Sequence, residues 1–186
     1  MSTYNAPAQT TDSRPATLGA MSVWVRFGAP TFALVGALTA AILVMRFGGG
    51  GALHAPNLSL IARASLPIRI HLVAAMLALG LGAVQMLAPK GTLPHRTVGW
   101  IWVVFMLTAA LSSILIKVIN PGHFSLIHIL TAWTLIAAPL GVIAARRGKI
   151  GAHSRYMAGL FYMGLITAGA FTFLPGRLLY QVFFGH

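Results

Sequence analysis

The chain contains no cysteine, and Asp12 is the one acidic residue among 186. The missing cysteine excludes thiolate metal centres, iron–sulfur clusters and covalent haem attachment through Cys-x-x-Cys-His. The missing acids argue against an ion-coupled transporter. Such proteins set ionisable groups at membrane depth, and no Asp or Glu falls in any apolar run here. Charge of either sign is scarce, at 8% of residues. A soluble domain carries about 25%.

What is present is apolar. Hydrophobic residues make up 58% of the chain, and the mean hydropathy is +0.83. This is the composition of a polytopic membrane protein with little soluble mass. Thirteen Lys and Arg residues give a net charge of +12. They are divided among the loops that flank the apolar runs. That distribution suits anionic lipid headgroups and an anionic cofactor, and it speaks against nucleic acid.

Uncharged stretches at 27–45, 70–89, 97–116, 118–145 and 156–176 have 19, 20, 20, 28 and 21 residues. A helix needs about 20 apolar residues to cross a ~30 Å hydrocarbon core. The sequence therefore predicts an all-α membrane protein with five transmembrane helices, near 29–47, 67–88, 93–118, 126–145 and 152–174. Residues 1–26 lack any apolar period and read as a disordered cytoplasmic tail. Residues 27–66 hold the first helix and a glycine-rich outer loop, F-G-G-G-G-A-L-H-A-P-N, in which Asn57 caps a short interfacial turn running to Ala64. Residues 67–174 form a four-helix bundle, and 175–186 an apolar, aromatic interfacial tail.

Eight cations fall on one side of these helices: Arg14, Arg26, Lys90, Arg96, Arg146, Arg147, Lys149 and Arg155. Five fall on the other: Arg46, Arg63, Arg69, Lys117 and Arg177. The positive-inside rule then makes the N-terminus cytoplasmic and the C-terminus external.

A histidine heads each helix of the bundle: His71, His95, His128 and His153. The spacing is 24 residues from 71 to 95 and 25 from 128 to 153, with a repeat period of 57 to 58. This predicts a duplicated helical hairpin, 67–118 and 126–174, related by a pseudo-twofold axis along the membrane normal. Ser65 and Pro67, Thr92 and Pro94, and Ser125 are helix-start signals ahead of three of the histidines. Gly151 is a weaker one ahead of His153. All four are expected in a first turn, where the helix end disfavours a cationic ring. Neutral imidazole is the metal-binding form. Ala75, Ala78 and Gly82 follow His71 on one face, Gly99 follows His95, and Gly164 follows His153. Small residues there leave room for a flat cofactor, or for tight helix contact.

Two readings stand. In the first, the histidines are axial ligands of two b-type haems. His71 and His128 hold one near the outer face, and His95 and His153 the other near the inner face. Arg69 and Lys117 pair with the propionates of the first, Arg96 and Arg155 with those of the second, with Lys90 and Lys149 nearby. Filling both axial positions suits electron transfer. Residues 71 to 88 alone rise ~26 Å, so the two sites lie far apart. In the second reading the histidines are interfacial helix-end residues with no cofactor. His54, His123 and His186 read as solvated loop or terminal residues. Trp100, Trp102, Trp133, Tyr156 and Tyr162 read as packing or anchoring residues, and Lys117 as a snorkelling one.

The segments H-L-V-A-A-M-L-A-L-G-L-G-A-V-Q at 71–85, P-H-R-x-x-G-W at 94–100, F-S-L-I-H at 124–128 and H-S-R-Y-M at 153–157 resemble bacterial membrane proteins grouped as domain of unknown function 2306. The resemblance covers about 68 to 180. It implies a polytopic helical protein of the bacterial inner membrane and no particular activity. The layout of one histidine on each of helices 2 to 5 is similar to that of the two-haem transmembrane cytochromes b, which move electrons from ascorbate to ferric iron or monodehydroascorbate. That resemblance implies the same haem pairs, His71 with His128 and His95 with His153. The His-to-His spacing is shorter here than in that family, and a quinol stands beside ascorbate as reductant.

Two functions follow. One is an integral membrane electron-transfer protein, a ferric or quinone-linked reductase. The other is a non-redox accessory or assembly subunit of a larger membrane complex. Both contact lipid, and both suit partner subunits or a homodimer.

Overall fold

The computed structural model describes residues 25, 28–47, 54–116 and 126–185. Among the described residues all regular structure is helical. The first helix, α1, is Ala29–Phe47 and runs into four glycines in sequence. Next comes α2, Leu58–Arg63, in the turn expected between Asn57 and Ala64. Asn57 caps it: Oδ1 accepts from the Ser59 N–H at 3.2 Å and from the Ser59 hydroxyl at 2.6 Å. Two long helices follow, α3 (Leu66–Leu87) and α4 (Leu93–Ile114). Gly91, at φ 80, makes the turn between them, a conformation that a side chain would strain. The Lys90 ammonium donates to the carbonyls of Gln85, Met86 and Ala88, so it satisfies the free end of α3.

The next helix, α5, spans Leu126–Arg146 with Pro139 inside it. Proline has no N–H, so the carbonyl four residues back loses its helical donor there. Gly148, at φ 69, turns the chain into α6, Ile150–Gly159. Helical residues then continue without a gap, but in a different register. Leu160–Thr167 is a π-helical segment, and α7 (Ala168–Phe171) returns to α geometry. A last short helix, α8, is Leu178–Phe184.

Four of these helices, α1, α3, α4 and α5, are long and apolar enough to cross a membrane. The fifth expected span, 152–174, starts two residues early, widens into π geometry and ends at Phe171. The third, expected to reach 118, ends at Ile114 with Leu115 as its cap. Lys117, His123 and His186 lie outside the described residues.

The helices pack as a ring: α3 on α4, α4 on α5, α5 on α6, and the π-helical segment back on α3. Ring order sets α3 across from α5 and α4 across from α6. Helix α1 lies against the π-helical segment and α7. The contact is close at Gly36, where a Cβ would come within 2.6 Å of the Thr167 methyl group.

The ring is filled by Ala78, Trp102, Val103, Met106, Ala137, Ala138, Leu160, Phe161 and Leu165. Large apolar side chains such as Leu38, Val73, Met76, Val104, Ile129 and Ile136 point outward and are exposed. Alanines at the helix contacts inside and large apolar side chains exposed outside are the pattern of a bundle solvated by lipid. In water such a surface would be a large exposed patch.

Candidate functional site

The polar side chains of the bundle collect at its two ends. At the end where α3 and α5 begin, His71 is the sixth residue of α3. It sits in the second turn, not the expected first, because the helix already starts at Leu66. Its half-buried ring bonds across to α4, with 2.8 Å between Nδ1 and the Ala109 carbonyl oxygen. A carbonyl only accepts, so Nδ1 carries the proton and Nε2 of the neutral ring keeps its lone pair. His128, third in α5, is half-buried.

The sequence reading missed a hydroxyl layer at this end. Ser112, Ser113, Thr131 and Thr134 are all buried. Ser113 Oγ and Thr131 Oγ1 are 2.6 Å apart and join α4 to α5. The signal was available. Ala109 and Ser113 continue the His95, Gly99, Trp102, Met106 stripe of α4, and Thr131 and Thr134 continue from His128 at helical spacing.

At the opposite end, His95 is the third residue of α4. The expected cap is there: Thr92 Oγ1 accepts from the His95 N–H at 3.3 Å. Buried Gln85 donates to the His95 carbonyl at 2.8 Å. The ring itself is different, for Nδ1 of His95 is buried and has no hydrogen-bond partner among the described residues. His153 is a neighbour of His95 at this end. It is the fourth residue of α6, which begins at Ile150 after Lys149, so Gly151 lies inside the helix and is not its cap. Its Nδ1 is 2.9 Å from the Gly141 carbonyl oxygen of α5. The same argument makes that nitrogen the protonated one and leaves Nε2 as the lone-pair atom.

The proposed propionate partners divide. Arg69, Arg96 and Arg155 are exposed, and Lys117 is outside the described residues. Arg69 lines a lipid-facing groove with Ile70, Val73, Phe105 and Thr108. A second groove, at the turn between α3 and α4, is walled by Val84, Pro89, Pro94 and Val98 with Gln85 and His95. Among the described residues no three metal-binding side chains gather at one point.

The small residues of the bundle middle serve close packing. A Cβ at Gly82 would lie 2.5 Å from the Phe161 ring and 2.7 Å from Trp102 Nε1. The bundle is therefore closed to a flat group around Gly82. At the His153 end, a Cβ at Gly141 would lie 2.0 Å from the end of Met157, so packing is close there as well. His71 and His153 each have Nδ1 tied to a main-chain carbonyl of the neighbouring helix, which fixes the orientation of the ring.

Residues 68–184 match the DUF2306 family, described as predicted membrane proteins. The match takes in well over half of the 186 residues. The chain belongs to the DUF2306 family. The DUF2306 region runs from the start of α3 to the end of α8, so it contains all four histidines and both polar ends, while α1 and α2 precede it. No curated protein and no solved structure matches the chain.

Proposed function

We propose that this DUF2306 protein is a membrane electron carrier that holds b-type haem at the two ends of its bundle, His71 with His128 and His95 with His153. The observation that carries this reading is the shared state of His71 and His153. Each donates Nδ1–H to a main-chain carbonyl of the neighbouring helix, which in the neutral ring places the lone pair on Nε2. Neutral imidazole so oriented is a metal ligand. Iron held by two imidazoles exchanges single electrons. The chain's own part is to orient the rings, to exclude water and to meet propionates with Arg69, Arg96, Arg155 and Lys117. In this reading the unbroken helical run from Ile150 to Phe171 is the fifth span, and the two hairpins are a duplicated pair. The reductant is a quinol or another small membrane carrier, and the protein lies in the bacterial inner membrane with a cytoplasmic N-terminus.

The closed middle of the bundle favours a second reading, a non-redox accessory subunit whose histidines only join helices. A reduced-minus-oxidised visible spectrum of protein purified from haem-replete cells separates the two. Haem bands that weaken when His71 or His153 becomes alanine support the first reading. A colourless protein that takes up no haem on reconstitution rejects it.

A further inference from the structure

The lipid-facing groove between α3 and α4 has a charge at one end and none below it. Leu66, Ile70 and Val73 of α3 and Phe105 of α4 wall it, and buried Ala74 is its floor. The α3 walls are open to the surroundings, with Leu66 and Val73 each 59% exposed. Residues 66 to 74 rise ~12 Å. Half of a ~30 Å hydrocarbon core is about 15 Å, so the groove follows most of one leaflet's depth.

Arg69 is the one charged residue of the lining, and it is exposed. It stands near the start of α3, at the level where His71 bonds to Ala109 of α4. Thr108, the other polar residue of the lining, donates its hydroxyl to the Val104 carbonyl of its own helix at 2.9 Å. The guanidinium is therefore the group that an incoming anion meets at the mouth, and below it the walls are apolar.

We propose that this groove binds one anionic phospholipid, with an acyl chain laid between α3 and α4 and the phosphate on Arg69. A guanidinium pairs with a phosphate through two parallel hydrogen bonds. The chain has one acid, Asp12, against thirteen Lys and Arg, so it supplies too few anions for its own cations. A zwitterionic headgroup carries a cation beside its phosphate and answers that charge less well. A free phosphate lacks the apolar chain that the walls match. Arg63, at the end of α2, is exposed at the same end of the bundle but is not part of the lining. It attracts an anionic surface without offering a slot for a chain. The inference does not rest on the electron-carrier reading. A guanidinium has five N–H donors, so a lipid phosphate on Arg69 does not exclude a propionate.

The test uses the full chain in mild detergent, stripped of lipid and titrated with phosphatidylglycerol or phosphatidylcholine of the same acyl chains. Native mass spectrometry counts the lipid retained. The first phosphatidylglycerol should bind roughly fivefold more tightly than the first phosphatidylcholine. R69Q should remove that preference. V73W, which fills the groove from an exposed wall, should weaken the first phosphatidylglycerol, and R63Q should leave it unchanged. Equal binding of the two lipids overturns the proposal, as does a preference that survives R69Q or tight binding that survives V73W. A loss in R63Q as large as that in R69Q also overturns it, since diffuse surface charge would then account for the binding. A phosphatidylglycerol with a photoreactive diazirine on its acyl chain reads the site in the unmutated protein. Cross-links within 66–74 and 105–108 support the groove; cross-links confined to other helices contradict it.

Discussion

Trp102 donates its indole N–H to the Ala78 carbonyl at 2.9 Å, across the contact between α4 and α3. Both residues are buried, in the layer that separates the two polar ends of the ring. The bond stitches the first hairpin together at mid-depth and holds the indole against Gly82.

Trp102→Phe removes that donor while keeping an aromatic ring. A net hydrogen bond contributes roughly 1 kcal/mol, so the variant should unfold at lower denaturant with little change in helicity. A titration of the purified protein with SDS, followed by circular dichroism, reads the shift. An unmoved midpoint would mean that the bond contributes nothing.

Two glycines of α3 should respond to alanine with opposite signs. Alanine favours a helix over glycine by ~1 kcal/mol, while overpacking costs about 1–3 kcal/mol. At Gly80 a Cβ meets nothing within 4 Å, so Gly80→Ala should stabilise or be neutral. At Gly82 the Cβ meets Phe161 and Trp102, so Gly82→Ala should destabilise. The same SDS titration compares them, and equal midpoints would contradict the packing described for the bundle middle.

Ser113 and Thr131 should couple. Their hydroxyls meet inside the bundle at 2.6 Å, and interhelical hydrogen bonds in membranes average about 0.6 kcal/mol in double-mutant cycles. Ser113→Ala, Thr131→Val and the double variant form the cycle. A coupling of zero would show that the two helices are held at that depth by packing alone.

His71 and His153 should carry their proton on Nδ1 in the cofactor-free protein. Ring-labelled nitrogen NMR near pH 8 reads the tautomer directly. Protonation at Nε2 instead would contradict the bonds to Ala109 and Gly141 and remove the case for Nε2 as a metal ligand.

The spans were legible because lipid imposes a simple rule on sequence: a helix long enough to cross and free of charge. That rule matched α1 end for end, and α3, α4 and α5 at their starts to within one residue. The short helix after Asn57 was legible from its cap. The π-helical segment was not, because Leu160–Thr167 is as apolar as its neighbours and hydropathy is blind to hydrogen-bond register. Of the site, the histidines stood out because their spacing repeats. The hydroxyl layer did not, because Ser and Thr inside an apolar run look the same whether they back-bond to their own helix or reach another. His54 was misread for a different reason. Its partner is Gly185, at the far end of the chain, and no local pattern announces a contact of that range.

The most direct test of the account is a haem count by the pyridine haemochrome method on the purified protein, repeated for His71→Ala and His153→Ala. The account predicts b-type haem at close to two per chain, falling by about one in each variant, since the two histidines serve opposite ends. Protein that stays free of haem after expression in haem-replete cells and after reconstitution would contradict it, and would leave the four histidines as helix-joining residues of a non-redox membrane subunit.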